Sequence, residues 1–258
     1  MKRLWILLLV AWTGTAFAGL EYRFESVTTG RSGMSLSGVV EVEGGHSRIA
    51  VTGGKALPLA AGSVILSSTG TSKITVLDPA QQSYYSLDLS GMLDSTGRPG
   101  GSLEGMFDVK VENPKVRVSD LGEGVPIAGY PTHRYRTETS CQLVMTIMSS
   151  KQTTTIQTRS DIWTTGEIDP GFATFVQSDG LRTGWKELDH LLESQSSSVK
   201  GFPLKIVTTT TTSDGRRSMT STTTTTVSDI REKAIPPSRF AIPEGYRKVD
   251  VPSLLPRP

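Results

Sequence analysis

A single cysteine, Cys141, occurs in 258 residues, which rules out an internal disulfide framework. Charge of one sign is also missing. Lys and Arg total 27 against 25 Asp and Glu. Two of the basic residues, Lys2 and Arg3, lie in an N-terminal segment that is expected to be removed, so the remainder is close to neutral. No basic stripe is present of the kind that nucleic acid requires, and nucleic acid is not an expected partner. Reactive motifs are equally scarce. There is no Gly-x-Ser-x-Gly elbow, no His-Glu-x-x-His and no phosphate-cradling glycine loop. His46, His133 and His190 are far apart in the chain. Asp189 and His190 are adjacent, but neighbouring positions on a helix point about 100° apart and make no dyad. The residue inventory therefore predicts no catalytic residues, no metal site and no cofactor.

Only one long apolar run exists, and it is at the start. Lys2 and Arg3, the stretch from Leu4 to about Trp12, and Ala16-Phe17-Ala18 have the form of a secretory signal peptide, with cleavage expected between Ala18 and Gly19. Gly19 and Leu20 follow the cut, so the cysteine that lipid anchoring would need is not there. The expected location is the periplasm or the exterior, without a membrane-spanning segment. Residues 19–258 are expected to form one β-rich domain with a proline-containing tail from about 250.

What the sequence has in abundance is threonine. Residues Pro203 to Asp229 hold two runs of five, Thr208–Thr212 and Thr222–Thr226, separated by the short polar segment 213–221. A sugar-decorated stalk would carry prolines, yet none occurs between Pro203 and Pro236, and β-branched threonine suits a pleated strand. An Asp214-Gly215 two-residue turn predicts Ser213 opposite Arg216, Thr210 opposite Met219 and Ile206 opposite Thr223. That register places Phe202, Leu204, Ile206, Met219 and Val227 on one face, with Lys205, Val207 and Arg216 on the other.

The same grammar runs through the chain. Gly44-Gly45 as a turn pairs Val40 with Ile49 and Glu41 with Arg48, an apolar and an opposite-charge pair. Residues 73–89 read as strand, Asp78-Pro79 turn, strand. Residues 106–120 read as strands broken at Asn113-Pro114, and 140–165 as a hairpin reversing around Ser149 to Lys151. Gly129 marks a turn into Tyr130, and Pro243-Glu244-Gly245 a turn before Tyr246. Two segments depart from period two. Asp169 with Pro170 is expected to start a short helix. In residues 183–197, Trp185, Leu188, Leu191 and Leu192 recur at helical spacing, and this helix is expected to pack on the sheet. The glycine-rich stretch 90–105 is expected to be a loop.

Several fragments together, "KITVLDPAQQSYYSLDL", "IAGYPTHRYRTETS", "SDIWTTGEIDPGF", "KGFPLKI" and "SRFAIPEGYRKVDVP", resemble a bacterial exported family of unknown function that is itself similar to the LolA/LolB-like lipoprotein carriers. The resemblance implies a mainly β (α+β) fold: a strongly curved antiparallel sheet, a half-open β-barrel, with one or two short helices over its concave face. It further implies a non-enzymatic protein that shelters a lipid or a lipidated protein. Trp163, Phe175, Trp185, Leu188, Leu192, Leu204 and Ile206 are the expected ligand-contacting residues. The alternative expectation is a structural or interaction module that docks on an envelope protein without a small-molecule ligand.

Overall fold

The computed structural model describes residues 19–30, 33–55, 60–71, 73–88, 107–147, 150–173 and 198–251. The expected signal segment, the 90–105 loop and the 183–197 helix lie outside them. The described residues form one twelve-stranded sheet. Its first half is built from β1 (Gly19–Thr29), β2 (Ser35–Glu43), β3 (His46–Lys55), β4 (Val64–Ser68), β5 (Lys73–Asp78) and β6 (Ser83–Asp88). Its second half holds the long strands β7 (Phe107–Ile127), β8 (Tyr130–Ile147), β9 (Ser150–Thr165), β10 (Phe202–Ser213) and β11 (Ser218–Lys233), and β12 (Arg247–Lys248) returns to the first. The spatial order is β12-β6-β5-β4-β3-β2-β1-β11-β10-β9-β8-β7. All pairs are antiparallel except β12 with β6. The two end strands, β12 and β7, do not meet, so the curved sheet stays open, in the manner of a half-open barrel.

Alternation of side chains puts one rank of partners on the inner face: Tyr22, Val40, Ile49, Ile65, Val76 and Tyr85 stand side by side across six strands. All six are buried. Period two makes such a rank possible, because a residue and its cross-strand partner share a face. The Gly44-Gly45 turn forms as expected, with φ of +57° and +79°, and it delivers both the Val40–Ile49 and Glu41–Arg48 pairs. Ala128 and Gly129, at +53° and +87°, likewise reverse the chain between Ile127 and Tyr130.

The inner face is tight where β2 meets β1. Phe24 lies opposite Gly38, and a Cβ on Gly38 would stand 2.6 Å from the Ala50 carbonyl oxygen and 2.7 Å from Phe24 Cε1. Gly38→Ala is accordingly expected to cost about 1–3 kcal/mol through overpacking. Urea unfolding checks it, and an unchanged midpoint would show that β2 can shift away from the ring.

The threonine runs form the expected hairpin, but its register differs by two residues. Ser213 pairs with Ser218, Thr212 with Met219, and Ile206 with Thr225. The Asp214 carboxylate accepts the backbone N–H groups of Arg216 and Arg217 at 2.8 and 2.7 Å, which closes a four-residue loop in place of a two-residue turn. A shift of two preserves the faces, so Met219 stays on the side of Phe202 and Leu204. It sits far from the core, however, and is 47% exposed. At Asn113-Pro114 β7 continues through a bulge, with Glu112 paired to Gln142 and Lys115 to Ser140. Asn113 adopts φ +53° there, so the expected break is a kink within one strand. The reversal between β8 and β9 falls between Ile147 and Ser150.

After β11 the chain crosses the outer face of the first half. Ile235 is buried, and its N–H donates to Glu43 Oε2 at 2.6 Å. Arg239, in the 3-10 turn Pro237–Phe240, grips Glu41. Tyr246 covers Val64, Leu66 and Leu77, and β12 docks on the edge of β6. This C-terminal strap ties the β1–β2 region to the β6 edge.

Candidate functional site

The inner face divides into a filled part and a partly open one. In the filled part, Phe202 and Leu204 have no exposed surface and pack with Tyr22, Phe24 and Val227. The Tyr22 and Phe202 rings meet edge to face at 5.4 Å. The segment that follows β9 closes this end through Ile168, Phe172 and Ala173. There Asp169 caps the turn Pro170–Phe172, accepting from the Gly171 N–H at 2.8 Å; the expected helix start is present as a 3-10 turn. The Tyr22 hydroxyl donates to the Phe172 carbonyl at 3.4 Å, and burial pushes the phenol well above its ordinary value.

Farther along β8 to β11 the face changes character. Tyr135, Ile162, Ile206 and Thr225 form the border rank. Next come Thr137, Ser160, Thr208 and Thr223, then Thr139, Thr158, Thr210 and Ser221, and then Cys141, Ile156, Thr212 and Met219. Many of these hydroxyls are satisfied sideways. Ser160 pairs with Thr208 at 2.9 Å, Thr158 with Thr210 at 3.3 Å, and Thr28 with Thr223 at 2.8 Å. A hydroxyl bonded to its neighbour in the same sheet asks little of whatever lies above it. Burial raises the Cys141 thiol pKa, which keeps it protonated and a poor nucleophile.

The structure therefore brings Leu204 and Ile206 together on the inner face, Leu204 within the filled core and Ile206 at its border. Trp163 goes to the outer face. It stands opposite Lys205 and Arg134 in register, with the Arg134 guanidinium 5.0 Å and the Lys205 ammonium 5.3 Å from its ring. Ile162 and Trp163 are successive residues of one strand, so they cannot share a side. Phe175, Trp185, Leu188 and Leu192 lie outside the described residues. What the sequence reading missed is the inner-face series Tyr135, Ile162 and Ile156. Its signal was the period-two alternation in β8 and β9 continued past the hairpin that was singled out.

Two of the described carboxylates, Glu41 and Asp161, are each bound by arginines. Glu41 is 3% exposed and is bound by Arg48 Nη1 at 2.8 Å and Arg239 Nη2 at 2.6 Å. Burial raises its pKa, but the Arg239 and Arg48 guanidiniums outweigh that and hold it below the usual carboxylate value. Asp161 receives Arg136 Nε at 2.8 Å and Nη2 at 3.1 Å. Among the described residues, no group of three or more His, Cys, Asp or Glu is placed to hold a metal ion, and no helix is long and apolar enough to cross a membrane.

An open, curved, almost purely β sheet with a filled core at one end and a hydroxyl-lined inner face at the other defines a half-open barrel protein. The chain belongs to the family described as domain of unknown function DUF4412, whose model matches residues 43–246; that agrees with the resemblance to an unknown-function family. No curated protein matches. Among solved structures the chain is similar to a LolA superfamily protein from Nitrosomonas europaea, with 12% identity over 87% of this chain and 90% of that one and a TM-score of 0.31. A TM-score of that size carries no argument about function.

Proposed function

We propose that this protein is an exported, non-catalytic binding protein that shelters a hydrophobic ligand, a lipid or a lipidated protein segment, on the inner face of β8 to β11. The observation that supports this is the partly open inner face itself. Its hydroxyls are largely paired with one another, and it is flanked by Ile162 and Ile206 on one side and by Ile156 and Met219 on the other. An acyl chain laid there would leave few polar groups unsatisfied. Titration with a fluorescent fatty acid tests it. Met219→Glu, which sets a carboxylate on this face at an exposed position, is expected to weaken uptake roughly tenfold or more with little change in melting. Thr224→Glu on the opposite face is expected to leave uptake unchanged. A wild-type protein that takes up no fatty acid and carries no lipid in native mass spectrometry would sink the proposal.

A second reading rests on β7. This 21-residue strand ends the sheet, and among the described residues it pairs only with β8. Its three register shifts interrupt the edge, as bulges do where uncontrolled pairing must be avoided, but the run from Lys115 to Asp120 is regular. That run could accept a strand from an envelope protein. Crosslinking in intact cells followed by pull-down is expected to recover a protein partner on this reading, and recovery of monomer alone would count against it.

A further inference from the structure

The outer face of β7 to β10 carries a groove of about 1010 Å³. Its wall is built from two neighbouring cross-strand ranks. In one, Arg117, Glu138, Arg159 and Thr209 stand side by side; in the next, Lys115, Ser140, Gln157 and Thr211 do so. All eight line the groove. Adjacent strands are about 4.8 Å apart, so the backbones of Arg117 and Arg159 straddle Glu138 at a separation of about 10 Å.

Four described arginines are committed to two carboxylates, one of which, Asp161, also lines the groove. Arg134 and Arg136 share Asp161, at 3.4 and 2.8 Å, and Arg48 and Arg239 share Glu41. Lys115, Arg117 and Arg159 differ, because none of them has an ion pair or side-chain hydrogen bond to a described residue. Three cations without an ion pair thus face Glu138 inside a groove whose lining also holds Asp161, already bound by Arg134 and Arg136, together with Gln157 and several hydroxyls. In a chain close to neutral, such a local excess of positive charge attracts anions.

We propose that this groove binds a phosphorylated saccharide. Its phosphate would lie on Arg117, Arg159 and Lys115, which donate charge-assisted hydrogen bonds. Its hydroxyls would donate to Glu138 and exchange hydrogen bonds with Gln157 and Ser140. The volume far exceeds that of a phosphate ion, and Glu138 between the arginines disfavours a polyanion such as nucleic acid while suiting a ligand with hydroxyl donors. The sugar phosphate could arrive free or as the headgroup of a lipid; the chemistry recognised is the same. The inference uses the face opposite the inner ligand surface and stands independently of the function proposed above.

The test is calorimetric titration of the mature chain with glucose 6-phosphate, glucose and inorganic phosphate. It is accompanied by sedimentation with phosphatidylcholine vesicles that do or do not contain phosphatidylinositol. Glucose 6-phosphate is expected to bind more tightly than either fragment. Arg117→Ala and Arg159→Ala, both at exposed positions, are each expected to weaken it about tenfold or more without lowering the melting temperature. Glu138→Ala supplies the decisive sign. A purely electrostatic site would gain affinity when the carboxylate is removed, whereas a saccharide site loses it. Binding confined to phosphatidylinositol vesicles, with the same loss on Glu138→Ala, would assign the lipid-borne form. Inorganic phosphate binding as tightly as glucose 6-phosphate, a gain in affinity for Glu138→Ala, or no binding to either sugar phosphate source would overturn the proposal.

Discussion

Glu41→Gln is expected to destabilise the protein by about 3 kcal/mol at neutral pH, the lower end of the cost of breaking a buried ion pair. The carboxylate is 3% exposed and holds two guanidiniums. One belongs to its hairpin partner Arg48, whose side chain is 16% exposed; the other belongs to Arg239 of the strap, 46% exposed. Arg48 cannot recover its hydration when the charge is lost, whereas Arg239 largely can, which is why the cost stays below the maximum. For a chain of this size the melting temperature should fall by roughly 6–12 °C.

The pH dependence carries the sign. Glu41 titrates below the ordinary glutamate value in the fold, so its contribution is complete above that ordinary value and disappears as the pH falls through the depressed folded value. Wild type and Glu41→Gln should therefore converge in acid. Thermal melts of both across the acid range check this, and a difference that persisted below the folded pKa would show that shape, not charge, holds the strap.

Phe202→Ala is expected to cost about 3–5 kcal/mol. The side chain has no exposed surface and forms the edge-to-face pair with Tyr22, which adds to the area it buries. Its neighbours come from β1, from β11 and from the segment after β9, so the cavity cannot be closed by moving one strand. Tyr22→Phe removes only the long hydrogen bond to Phe172 and should cost about 1 kcal/mol or less. The two differ in alkali as well. The fold holds the Tyr22 proton more tightly than the unfolded chain does, so stability is complete below the ordinary tyrosine pKa of about 10 and falls as the pH rises above it. Tyr22→Phe should make that decline shallower. Denaturant unfolding at neutral and alkaline pH measures both effects, and a loss below about 1 kcal/mol for Phe202→Ala would contradict a filled core.

Local chemistry alone settled much of this fold. Gly44, Gly45 and Gly129 tolerate positive φ, and the turns they make place Val40 against Ile49 and Ile127 against Tyr130. Alternation in the threonine runs determined which residues share a face, because side chains on a strand repeat every second residue whatever the partner. Sequence could not say which partner each strand would take, or which face would be covered. The two-residue shift of the threonine hairpin depended on Asp214 capturing two backbone N–H groups, a competition between two turns of similar local merit. Arg239 reaches Glu41 across 198 residues of chain, and Trp163 faces outward because β9 is read together with β8 and β10. The groove cations Lys115, Arg117 and Arg159 come from β7 and β9, and only pairing with β8 brings them together. Turns and alternation are decided within a few residues. The pairing order, the covered face and the convergence of charges follow from burial and ion pairing between distant segments, which only the tertiary structure supplies.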